Sequence, residues 1–152
     1  MTTNRYAKDT TVSVDRTLEE IRSTIKRYGA VKLATFEHET HAGIAFEMKN
    51  RRVRFILPLP DKKAGMVKVN QSRATQYSQR TYDQAVRQRW RALLLCIKAK
   101  LESVEAGIES FDEAFMSQIV LPSGKTMGEW AVSQIEVAYE NNVMPPLLSS
   151  GG

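Results

Sequence analysis

Two short stretches of this chain carry residue types at spacings that metal binding or catalysis could use. His38-Glu39-Thr40-His41 gathers two imidazoles and a carboxylate, the donor types of a zinc site. A helical metalloprotease site needs histidines at i and i+4, and these lie closer together, in a segment that reads as a hairpin turn. The chain has no further histidine, and its single cysteine, Cys96, is far away in sequence. A solvated turn accounts for the cluster, so no metal site is assigned. Gly124-Lys125-Thr126 ahead of a helix resembles the end of a phosphate-binding loop. Ile119 stands where that loop needs its first glycine, Pro122 interrupts it, and Thr126 serves as a helix cap. Neither a nucleophile elbow nor a serine or cysteine beside a base is present. Cys96 borders an apolar helical stripe, where a half-buried, inert thiol is expected. The pairs Glu19-Glu20, Glu37/Glu39 and Asp112-Glu113 are explained by caps and exposed turns. These residues point to a chain that is not an enzyme and takes no cofactor.

The basic residues form a stronger pattern. Net charge is +5, from 22 Lys/Arg and 17 Asp/Glu, and it is segregated along the chain. Residues 1–47 balance, residues 48–100 carry fourteen Lys/Arg against Asp61 and Asp83, and residues 101–152 carry Lys125 against eight acids. Segregation of this kind favours a polyanionic partner, nucleic acid above all, unless the two charged segments neutralise each other in the fold. If Val53, Phe55 and Leu57 face a core, Arg52 and Arg54 turn to the opposite face, beside Lys49 and Arg51 at the adjoining turn. Lys62, Lys63, Lys68, Arg73 and Arg80 follow in an aperiodic stretch. Arg87, Arg91 and Lys98 share one flank of the next helix, with Arg89 and Lys100 on the other and Glu102 as a local partner for Lys98.

The candidate nucleic-acid contacts are therefore Lys49, Arg51, Arg52, Arg54, Lys62, Lys63, Lys68, Arg73, Arg80, Arg87 and Arg91. Only Tyr6 and Tyr77 offer themselves for base stacking, which favours backbone contact, to single strands or with little sequence preference.

A single α+β domain over residues 14–140 has to position these groups, between a flexible N-terminus at 1–13 and a tail at 141–152 with a mobile end. Thr17 and Glu20 read as the capping box of a first helix whose Leu18, Ile21, Ile25 and Tyr28 share a face and whose stop is Gly29. The period then changes to two. Residues 31–36, Ala42/Ile44/Phe46/Met48 and Val53/Phe55/Leu57/Leu59 predict an antiparallel sheet of three to four strands, with turns at Glu39-Thr40 and Lys49-Asn50. Residues 61–80 read as a long basic loop. Thr81 and Gln84 cap a long amphipathic helix over residues 82–106, striped by Tyr82, Val86, Trp90, Leu93, Leu94, Ile97, Leu101 and Val104. Two short helices follow, capped by Ser110/Glu113 and Thr126/Glu129, the second with Met127, Trp130, Ile135 and Ala138 as its apolar positions.

Asn50-Arg51-Arg52-Val53-Arg54-Phe55 with Leu57-Pro58-Leu59-Pro60 is similar to a segment of small uncharacterised proteins encoded by bacteriophages and prophages. Arg87-Gln88-Arg89-Trp90-Arg91-Ala92-Leu93, Gly128-Glu129-Trp130 and Met144-Pro145-Pro146-Leu147-Leu148 resemble further blocks, so the likeness spans residues 12–148. It implies a phage setting and the host cytoplasm, and it brings no catalytic residues. One cysteine and the lack of any apolar run of membrane length fit that location and a soluble chain.

The leading expectation is a non-enzymatic accessory protein that binds nucleic acid. The alternative is an anti-defence interaction protein that inhibits a host enzyme or sequesters an anionic nucleotide, its acidic end docking on a basic host protein. Self-association is compatible with either.

Overall fold

The computed structural model describes residues 10–61 and 71–144, with backbone only for 71–78. Element order is α1 (Val14–Arg27), β1 (Val31–Glu37), β2 (His41–Met48), β3 (Arg51–Pro58), α2 (Gln71–Glu105), α3 (Phe111–Ala114), a single 3-10 turn (Met116–Gln118) and α4 (Met127–Asn141). This is the α+β arrangement that the periodicities predict.

The sheet is an antiparallel meander in the order β1-β2-β3. Period-two burial is plain in β2 and β3: Ala42, Ile44, Phe46 and Met48 of β2 and Val53 and Phe55 of β3 all face the core. Lys49 and Asn50 link Met48 to Arg51 as a two-residue loop with φ of 53° and 60°, the left-handed pair that matches sheet twist. Gly43 sits where a Cβ would collide with the Phe36 ring and the Phe55 carbonyl oxygen. Isolated bridges join Val53 to Ile119 and Val120 to Thr126, and the Val120 N–H donates to the Arg52 carbonyl, so the far side of β3 is covered.

α1 and α2 pack on the core face of the sheet. Ile21 and Ile25 of α1 meet Trp90, Leu93, Leu94, Ile97 and Leu101 of α2 in one buried cluster. Phe115 closes it, edge-on to Phe46 and Phe55 and stacked on Phe111 at 4.6 Å. Losing a ring so enclosed costs about 3–5 kcal/mol. The Ser110/Glu113 and Thr126/Glu129 capping boxes are both formed, reciprocally.

Four local expectations need correction. α1 starts at Val14 with Ser13 as its cap, so Thr17 lies inside the helix, fully buried. α2 starts at Gln71, which makes residues 71–80 helical rather than loop and places Thr81 in mid-helix. Those turns carry no apolar stripe in the sequence, and Trp90 is the first buried residue of α2 among those described. Cys96 is exposed, on the side of α2 turned away from the core. Finally, no residue of α4 is buried. Met127, Trp130, Ala131, Gln134 and Ala138 are half-buried along one side, while Val132, Ile135 and Tyr139 lie bare on another. Residues 1–9, 62–70 and 145–152 lie outside the described residues, and with them fall most of the expected N-terminal segment, part of the expected loop and the end of the tail.

Candidate nucleic-acid interface

The strand pairing puts Arg52 and Arg54 on the side of β3 opposite Val53 and Phe55, as alternation requires. Neighbouring carboxylates then occupy much of this basic cluster. Arg51 grips Asp112 with two hydrogen bonds, Nε to Oδ1 at 3.1 Å and Nη2 to Oδ2 at 3.0 Å. Arg54 donates from Nη2 to the Gly124 carbonyl at 3.0 Å and to Glu129 at 3.2 Å, and its Nε is buried without a partner. Across the sheet Lys32 holds Glu47, the residue paired with Arg52. Lys49 and Arg52 alone remain exposed here without an ion-pair partner. The acidic final third thus neutralises two of the four basic residues between positions 49 and 54.

Other cations are structural. Arg89 donates to the Pro58 carbonyl, tying α2 to the end of β3. Lys100 donates to the Ala114 carbonyl at 2.7 Å, where the end of α3 leaves acceptors open. Lys62, Lys63 and Lys68 lie outside the described residues. Arg73 falls within the leading turns of α2, seven residues before Arg80.

A different surface gathers the free charge. α1 and α2 run side by side in the same direction: Gln84 donates to the Thr10 carbonyl, Ser13 and Val14 lie beside Tyr82 and Arg87, and Arg91 is ion-paired to Glu20. On α2, Arg80, Arg87, Arg91 and Lys98 fall within an arc of about 40° at 100° per residue, over a length of about 27 Å. On α1, Arg16 and Arg27 share the flank of Glu20, being one turn before it and two turns after it. Arg16, Arg27, Arg80 and Lys98 are exposed. Arg87 is half-buried and donates to the Gln84 side-chain oxygen at 2.7 Å, a neutral partner. Arg27 sits 5.8 Å from the Tyr28 ring centre, and Lys98 makes no bond to Glu102. Six cations line this seam, and among the described residues Glu20 is the one carboxylate bonded to any of them.

Arg16 and Arg27 escape sequence reasoning because residues 1–47 are neutral in sum. Their signal is their spacing to Glu20, which means little until Glu20 is known to face Arg91. The histidine turn is simpler: His38 and His41 stack on one another at 4.6 Å beside Phe36. Among the described residues no group of three His, Cys, Asp or Glu side chains could hold a metal ion, and no helix is long and apolar enough to cross a membrane. No protein family, curated protein or solved structure matches this chain.

Proposed function

We propose that this chain is a non-enzymatic nucleic-acid-binding protein that holds the phosphate backbone along the seam between α1 and α2. The observation that supports this reading is the run of Arg16, Arg27, Arg80, Arg87, Arg91 and Lys98, to which Glu20 is the one carboxylate bonded among the described residues. The seam is built on two packed helices, and among the described residues no stack of exposed aromatic rings accompanies it. Such a surface suits phosphates and reads little sequence. In the phage setting that the sequence resemblance implies, the role would lie in replication or recombination.

Binding to labelled single-stranded and duplex oligonucleotides, followed by anisotropy across a salt series, tests it. Affinity should fall steeply with salt. Arg87→Ala with Lys98→Ala should flatten the logarithmic salt slope by roughly 1.5. Arg51→Ala should leave that slope nearly unchanged, because its charge is already matched by Asp112. No binding at low salt, or a slope indifferent to the seam variants, refutes the proposal.

A further inference from the structure

A second surface, which goes beyond the basic seam, lies at the open edge of the sheet. β1 pairs with β2 alone among the described residues, whereas the far side of β3 is covered by the bridge at Ile119. The first half of β1 is blunted. Its register breaks between Val31 and Ala34, and Lys32 takes φ of 52° at the irregularity. From Ala34 to Glu37 the register runs unbroken, and this half overlooks two adjoining hollows of 340 and 460 Å³. Both hollows are lined by Val14, Glu37 and Val86; Leu18 and Trp90 line one of them and Leu59 the other. Their charged groups are Asp15, Glu37 and Asp83 against Arg87 alone. Among the described residues Asp15 and Glu37 form no ion pair, and Asp83 accepts only from the neutral Gln79 amide at 2.9 Å.

We infer that residues 34–37 and these hollows form a docking site for an extended peptide segment whose inward side chains alternate between apolar and Lys or Arg. A strand added to β1 satisfies main-chain groups along the edge, and every second side chain then points into the hollows. Apolar side chains rest on Val14, Leu18 and Val86, and basic ones reach Asp15, Glu37 and Asp83. Nucleic acid is a poor occupant, since the same carboxylates repel phosphate. A second copy's α4 is a poor one as well, because it is helical and carries Glu129, Glu136 and Glu140 with no Lys or Arg.

The probe is an acetylated octapeptide in which threonine alternates with valine and lysine in turn, beside a twin with glutamate in place of lysine. Each is titrated into the isotope-labelled full chain and followed by amide chemical shifts. The lysine peptide should perturb residues 34–37 and the hollow lining, lose affinity as salt rises, and bind the Glu37→Arg, Asp83→Arg double variant about tenfold more weakly. The glutamate twin should not bind. If the double variant folds poorly, Glu37→Gln at the exposed edge position must still weaken binding severalfold. Absence of shifts, shifts confined to α4 or to Arg16, Arg27 and Lys98 instead, or equal binding of both peptides overturns the inference. Arg87 belongs to both surfaces, so Lys98, which lines neither hollow, separates the two readings: Lys98→Ala should weaken nucleic-acid binding and leave the lysine peptide's affinity unchanged.

Discussion

Thr17 shows how a single atom bears on stability. The residue is wholly buried within α1, and its hydroxyl oxygen has no hydrogen-bond partner. A stranded hydroxyl of this kind costs about 1–3 kcal/mol, and it is the more exposed to improvement because its surroundings are apolar. Thr17→Val keeps the branched shape and removes the polar atom. It should raise stability by about 1 kcal/mol, or roughly 2–4 °C in the thermal midpoint. A lower midpoint in thermal denaturation would mean that the hydroxyl makes a bond that matters. Thr17 also explains a misleading sequence signal. Its spacing to Glu20 imitates a capping box, yet Ser13, one turn earlier, accepts from the Arg16 N–H and starts the helix. Only the burial of Thr17 distinguishes the two readings, and burial depends on the sheet that α1 covers.

At the level of elements, the β2–β3 hairpin turns through two non-glycine residues with positive φ. Asn50 tolerates that region through its short polar side chain, whereas Lys49 carries the full steric cost. Lys49→Gly should therefore stabilise the domain by about 0.5–1 kcal/mol, read as a shifted denaturant midpoint at constant slope. Seam-directed nucleic-acid binding should hardly change, since Lys49 lies away from α1 and α2. The strands were legible from alternation alone because each has one face on the core. The long helix was legible only where it touches that core. From Gln71 to Arg80 the sequence lacks the apolar stripe that marks a helix and so resembles a loop, whereas from Tyr82 onward the stripe is present. α4 fails in the opposite way. Its apolar residues predict a buried face, and the fold half-buries Met127, Trp130 and Ala138 while leaving Ile135 bare.

Across the whole molecule, charge segregation along the chain becomes partial neutralisation in space. Arg51 and Arg54 reach Asp112 and Glu129, which lie 61 and 75 residues away in sequence. This outcome was the rival of the polyanion reading at the sheet face, and only a folded arrangement could decide between them. The Arg51–Asp112 pair is about half exposed, its side chains showing 46% and 52% of their surface, so screening by water and salt limits its worth. A double-mutant cycle on Arg51→Ala and Asp112→Ala should give a coupling under about 1 kcal/mol, shrinking further as salt is raised. A coupling well above that, insensitive to salt, would show the pair to be a structural clamp rather than a surface contact.

The position of Cys96 offers a practical opening. The chain has one thiol, displayed on α2 roughly across the helix axis from Arg87 and Lys98. A maleimide fluorophore can be attached there at a unique point, with no core side chain to displace and none of the seam's cations to obstruct. The labelled protein would then signal occupancy of the opposite flank in real time, from a reporter that takes no part in the event it records.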